Sequence, residues 1–131
     1  MGILTIVLDK VTNLKDEDTL GKSDPYVKFE LEQDNMVFDK DFGEQKSTVK
    51  KDDLNPVYNE TFHFNIPSLK NMELTCKIKD KDPLSDDEMG KCKIKLDEMG
   101  LSGSPTHVQK KVHNRLIGKD SYIFLALTYT E

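Results

Sequence analysis

Apolar and polar residues alternate with a two-residue period along most of the chain. In Ile3-Leu4-Thr5-Ile6-Val7-Leu8, the positions Leu4, Ile6 and Leu8 share a face that Val11 and Leu14 extend into the following loop, which predicts an opening strand. Val27, Phe29 and Leu31 alternate with Tyr26, Lys28 and Glu30, the pattern of a half-buried antiparallel strand. Residues 33–43 read as a polar, irregular hairpin excursion, and a third strand is expected over 45–51. Asn55-Pro56 breaks the chain, because proline restricts both its own φ and its predecessor.

Further alternations follow in Phe62, Phe64 and Ile66, with His63 facing outward, then in Leu74, Cys76 and Ile78, and then in Cys92, Ile94 and Leu96. Gly100, Gly103, Ser104 and Pro105 mark a loop before a short strand over 108–112, and Ile123, Leu125, Leu127 and Tyr129 line the last strand. About eight short strands without a long helical pattern predict an all-β fold, an eight-stranded antiparallel Greek-key β-sandwich. At 131 residues, with no linker, repeat or low-complexity tract, the expectation is a single domain over 1–131.

Charge adds the next constraint. The net charge of −5 argues against nucleic acid as an electrostatic partner. Two clusters hold much of the negative charge: Asp16-Glu17-Asp18 leading to Ser23-Asp24-Pro25-Tyr26, and Asp80-Lys81-Asp82 leading to Asp86-Asp87-Glu88. Both fall between strand patterns and therefore in loops at strand ends. Without them the body is close to neutral or slightly basic, since Lys77, Lys79, Lys91, Lys93 and Lys95 decorate neighbouring strands. If the loops meet, each pair of bare carboxylates about 5 Å apart repels by roughly 3 kcal/mol at an effective dielectric near 20. A hard divalent cation with oxygen ligands is the natural counter-charge.

Four segments carry a resemblance to a known family. These are Leu4-x-Ile6-x-Leu8-x-x-Val11-x-x-Leu14, then Gly21-Lys22-Ser23-Asp24-Pro25-Tyr26-Val27, then Leu54-Asn55-Pro56-Val57-Tyr58-Asn59-Glu60-Thr61-Phe62, and finally Asp80-Lys81-Asp82 followed by Gly90. In this order and spacing they closely resemble a C2 domain, over essentially the whole chain. The opening strand resembles the second strand of synaptotagmin-type C2 domains, with the missing partner at the end of the chain. That permutation is similar to the type II topology of cytosolic phospholipase and novel protein kinase C domains.

The resemblance implies Ca²⁺ as cofactor, with Asp18 and Asp24 from the first loop and Asp80 and Asp82 from the third as ligands. The third loop is one residue shorter than the commonest pattern, which leaves the fifth carboxylate open between Asp86 and Asp87. The phospholipase-type loop favours Asp86, and counting back from Gly90 favours Asp87. Backbone carbonyls of Thr19 and Lys81 are expected to complete the six to eight oxygens that Ca²⁺ takes. Asp52 aligns with an asparagine ligand of the phospholipase-type domain.

The implied function is calcium-dependent binding to anionic phospholipid membranes, with Leu20 and Leu84 as apolar wedges at the loop tips. Tyr26, Lys28 and Lys46 match positions that recognise phosphoinositides in protein kinase C and synaptotagmin. Thr48 and Lys79 depart from that pattern, and Lys50 and Lys51 are expected to compensate. The implied state is a cytoplasmic monomer recruited to membrane when calcium rises. The alternative is a C2 domain that binds a protein partner, with or without calcium.

Other readings fit less well. An EF-hand beginning at Asp16 fails because Leu20 and Val27 stand where oxygen ligands are needed. Myristoylation at Gly2 fails because Ile6 replaces the expected Ser or Thr. No run is long enough to span a membrane, and no apolar stretch follows a basic start. His63, His107 and His113 lack a nearby nucleophile in a turn, and there is no phosphate loop, so no enzyme is expected. Cys76 and Cys92 are too few and too far apart for zinc or a disulfide framework, and are expected as buried free thiols.

Overall fold

The computed structural model describes residues 1–15, 23–114 and 120–131. Its strands are β1 (Gly2–Thr12), β2 (Pro25–Gln33), β3 (Lys40–Lys46), β4 (Val57–Ile66), β5 (Met72–Asp80), β6 (Asp87–Lys95), β7 (Thr106–Val112) and β8 (Ser121–Thr130), with one turn of 3-10 helix at Leu96–Glu98. They form two four-stranded sheets, ordered β4-β1-β8-β7 and β3-β2-β5-β6, and the named pairings are antiparallel. The closing strand lies directly beside the opening one, with Ile6 opposite Leu127. The result is the eight-stranded β-sandwich that the alternation predicts.

Inward residues of both sheets make one core. Leu4, Ile6, Leu8, Ile123 and Leu127 from one sheet meet Val27, Phe29, Leu74, Ile78 and Ile94 from the other, all essentially excluded from solvent. Phe29 and Phe62 pack as a tilted aromatic pair with centroids 5.1 Å apart. The odd step from Leu8 to Val11 has a local cause. The register of β1 against β8 slips between Leu8 and Lys10, so the bulge at Asp9 turns Val11 back into the core.

Two segments differ from the sequence expectation. The third strand runs over Lys40–Lys46, not 45–51. It is a mostly exposed edge strand, interrupted where Glu30 pairs Glu44 but Glu32 pairs Asp41, with Gly43 at φ 105° in the irregularity. No alternation survives such exposure. Beyond it, Ser47 takes over the edge of β2. Its hydroxyl accepts from the Val27 amide at 2.8 Å, and its own amide donates to the Val27 carbonyl at 2.8 Å. Residues 34–39, within the stretch expected to be polar, expose Met36, Val37 and Phe38 at the β2–β3 turn.

The smaller expectations hold. His63 faces outward and is hydrogen-bonded through Nδ1 to Thr5 Oγ1 at 3.1 Å. Cys76 and Cys92 are buried, free, and directly opposite one another across β5 and β6. No helix among the described residues is long and apolar enough to cross a membrane.

Candidate metal centre

Pairing register brings the acidic segments together. Pro25 at the start of β2 pairs with Asp80 at the end of β5, and Asp80 in turn pairs with Asp87 at the start of β6. The loop before β2 and the loop between β5 and β6 therefore leave the same end of the sandwich. Hydrogen bonds from backbone amides clasp them: the Asp24 amide donates to the Asp80 side chain at Oδ1, 2.9 Å away, and the Lys81 amide donates to the Asp24 carbonyl at 3.0 Å. The 47–56 loop joins the same clasp. The Asp52 amide donates to Asp24 Oδ1 at 2.9 Å, and the Asp53 amide to the Ser23 carbonyl at 3.1 Å.

Like charges act on Asp80 in this arrangement. Burial raises the proton affinity of Asp80 above the ordinary carboxylate value, and the neighbouring charges of Asp24 and Asp87 raise it further. The Asp24 amide and the Ser23 hydroxyl only partly oppose that rise. Amide donors fix the positions of the oxygens while like charges oppose one another there, which is the condition that a divalent cation relieves.

Asp86 and Asp87 have different surroundings. Asp87 is exposed and faces Asp80 across the ladder. Asp86 is turned toward protein donors: Tyr26 donates its hydroxyl to Oδ2 at 2.5 Å, the Asp82 amide donates to Oδ1 at 3.1 Å, and Lys81 Nζ lies 3.7 Å from Oδ2. The Tyr26 hydroxyl, the Asp82 amide and the positive charge nearby hold the Asp86 carboxyl below its usual range. Burial and the bond to Asp86 push the Tyr26 hydroxyl up to about 12. Asp82 Oδ1 accepts from the Leu84 amide at 3.0 Å, and this turn leaves Leu84 96% exposed at the loop tip.

Of the sequence-predicted site, Asp24, Asp80, Asp82, Asp86, Asp87 and Lys81 share this end of the fold. Asp18, Thr19 and Leu20 lie outside the described residues, as do Asp16 and Glu17. Among the described residues, no three His, Cys, Asp or Glu side chains are already gathered around one point. Sequence reasoning missed the Tyr26–Asp86 bond and the support that Ser23 and the Asp52 amide give to Asp80 and Asp24. The adjacent Ser-Asp-Pro-Tyr residues were the only available signal.

The lysines are more constrained than their spacing suggests. Lys28 pairs with Glu30 at 3.1 Å and Glu44 at 3.2 Å, and Lys77 pairs with Glu30 at 3.0 Å. Lys46 is exposed opposite Lys28, Lys51 is exposed, and Lys50 Nζ sits 5.7 Å from the centre of the Tyr58 ring. Acidic partners thus occupy the centre of the expected basic patch, and its free charge lies toward the 47–56 loop.

Comparison with known proteins agrees with this architecture. The C2 domain family model matches residues 2–113. Synaptotagmin-10 of Homo sapiens is 39% identical over 103 residues, 76% of this chain and 19% of that protein, so the chain spans about a fifth of that relative's length. A C2 domain of plant extended synaptotagmin 1 superimposes with a TM-score of 0.83 at 25% identity, covering 98% of this chain and 93% of that one. Human GIVD cytosolic phospholipase A2 shares the fold over 98% of this chain and 17% of its own, with a TM-score of 0.79 at 24% identity. The chain belongs to the C2 domain family.

Proposed function

We propose that this C2 domain binds Ca²⁺ between its first and third acidic loops and, in that state, docks reversibly on anionic phospholipid membranes. The clasp of Asp24 on Asp80, with Asp87 opposite, carries the reading. Asp24, Asp80, Asp82 and Asp18 would hold the ion with the backbone carbonyls of Thr19 and Lys81. The engagement of Asp86 by Tyr26 favours Asp87 as the fifth carboxylate. When bound, Ca²⁺ supplies positive charge at the rim and coordination positions for lipid phosphate oxygens.

The chain's own residues set the limits of docking. Leu84 projects from the third loop, and a buried leucine contributes at most about 1.5–3 kcal/mol, so apolar contact alone does not anchor the domain. Lys46, Lys50 and Lys51 add attraction to an anionic surface, each about 1 kcal/mol when close to it. A phosphoinositide preference would rest on these residues and on whatever share of Lys28 the glutamates release. The domain thus acts by binding, as one folded unit over residues 1–131, and moves from cytoplasm to membrane as calcium rises.

Calorimetric titration and liposome sedimentation test the reading. Calcium should give one or two sites, lost on replacing Asp80→Asn together with Asp82→Asn, and sedimentation with anionic vesicles should disappear on adding chelator. Heat indistinguishable from buffer would refute metal binding. Vesicle binding that ignores chelator would shift the function to the lysines.

A further inference from the structure

The end of the sandwich remote from the acidic loops carries an apolar tip that the metal site does not use. Gln33 pairs with Met72 at that end, and the Asp34 amide donates to the Asn71 carbonyl at 2.8 Å, so the 34–39 turn projects away from Asp80 and Asp87. Met36, Val37 and Phe38 follow one another there, 104%, 87% and 73% exposed. Consecutive apolar side chains held in water cost free energy unless something covers them.

Charge around the tip narrows the choice of cover. Glu32, Asp34, Asp39 and Asp41 surround it, and the Asp39 carboxylate beside Asp34 holds that group above the usual carboxylate range. Lys40, the first residue of β3, lies 5.2 Å from the centre of the Phe42 ring. Such a collar repels an anionic lipid surface and suits an apolar pocket with a basic rim.

The chain itself carries such a pocket. A cavity of about 400 Å³ opens where β6, the 3-10 turn and β7 meet, with Ile94, Met99 and Val108 at its base. Lys93, Lys95 and Lys110 line it together with Glu98; Lys93 also pairs with Glu73 at 3.6 Å, and Lys95 lies near Asp34 of its own chain. The tip is not seated there within its own chain, since Phe38 remains exposed. We propose that the Met36–Val37–Phe38 tip of one copy docks into the lysine-rimmed pocket between β6 and β7 of a second copy.

Tip and pocket are different patches, so the contact is head-to-tail and leaves a free tip and a free pocket at the ends of every pair. Lysine ammonium groups around an aromatic side chain add cation–π attraction to the charge match. The area is small, so association is expected at about 0.1–1 mM, well below the strength of a permanent interface.

Sedimentation equilibrium over a concentration series in chelator tests the contact apart from calcium or membrane. The mass should climb past that of a dimer as protein concentration rises, and fall in high salt. Phe38→Ser and Lys95→Glu with Lys110→Glu should each leave a monomer, with unchanged melting temperature as the folding control. A mixture of the two variants should form a dimer and stop there, since one retains the only working pocket and the other the only working tip. A wild-type chain that stays monomeric throughout, or association that survives both variants, overturns the proposal. So does loss of partition onto neutral phosphatidylcholine vesicles in Phe38→Ser with no change in self-association, which assigns the tip to lipid.

Discussion

Tyr26 donates its hydroxyl to Asp86 at 2.5 Å, tying the third loop back to the first residues of β2. Asp87, the next residue, faces Asp80 instead. One carboxylate is thus already engaged by donors of the protein, and its neighbour is paired with Asp80 across the ladder, where its charge raises that carboxyl. Asp87→Asn is expected to weaken calcium binding by about tenfold or more, as loss of a charged oxygen ligand does, whereas Asp86→Asn and Tyr26→Phe should change it by less than about threefold. Isothermal titration of the three variants decides it. The opposite ranking would make Asp86 the ligand and require Tyr26 to release it.

Asp80 in its charged form opposes folding, because burial and the charges of Asp24 and Asp87 raise its carboxyl. Asp80→Asn keeps an oxygen that accepts from the Asp24 amide but removes the charge facing Asp24 and Asp87. In chelator this variant should therefore be more stable than wild type, by about 0.5–1 kcal/mol after solvent screening, and melt a few degrees higher. In saturating calcium the order should reverse, because wild type gains stability from the ligand and the variant does not. Thermal melts with and without calcium supply the comparison, and a variant less stable in both conditions contradicts the account.

Glu30 restrains the strand lysines. Burial by itself raises its carboxyl, but the bonds from Lys77 and Lys28 outweigh it and leave the group below its usual range. A depressed carboxylate contributes stability that is present above its unfolded value of 4.5 and is lost as pH falls through the lower folded value. Glu30→Gln should remove that contribution, about 0.5–1 kcal/mol for a partly exposed pair at neutral pH, and flatten the acid limb of the stability curve below 4.5. It should also free Lys77, leave Lys28 held by Glu44 alone, and strengthen calcium-independent binding to anionic vesicles by up to about tenfold. Unchanged vesicle binding would place the lysines out of reach of the lipid.

Legibility in the sequence follows burial. Strands with one face in the core, such as Leu74-x-Cys76-x-Ile78, declare themselves because each second residue must leave water. The step from Leu8 to Val11 is readable as a shared face, although the bulge at Asp9 that produces it is not. β3 escapes the pattern because an exposed edge strand is under no such demand, and Ser47 substitutes its hydroxyl for a ladder acceptor. Met36, Val37 and Phe38 escape it for a related reason. Three apolar residues between Asp34-Asn35 and Asp39-Lys40 do not alternate, and only the fold shows that nothing covers them. The carboxylates of the site are legible as spacing, but their division between a facing Asp87 and a tethered Asp86 depends on a hydrogen bond spanning sixty residues.

Gly90 links the third loop to the far sheet, and its small size is a requirement of packing. A Cβ placed there would lie 2.5 Å from Val112 Cγ1 and 3.1 Å from the His113 carbonyl oxygen. The backbone cannot back away, since Lys91 and His113 exchange amide–carbonyl bonds of 3.0 and 2.9 Å one residue further on. Val112 is buried and β-branched, so rotation offers little relief. Gly90→Ala should cost about 1–3 kcal/mol in urea denaturation, the usual range for overpacking a closed site. Trimming the obstructing methyl group tests the cause. Val112→Ala is destabilising on its own through the cavity it opens, yet combined with Gly90→Ala the two costs should sum to clearly more than the double variant shows, because the added methyl occupies the vacated space. Strict additivity would place the penalty in the backbone and remove Val112 from the explanation.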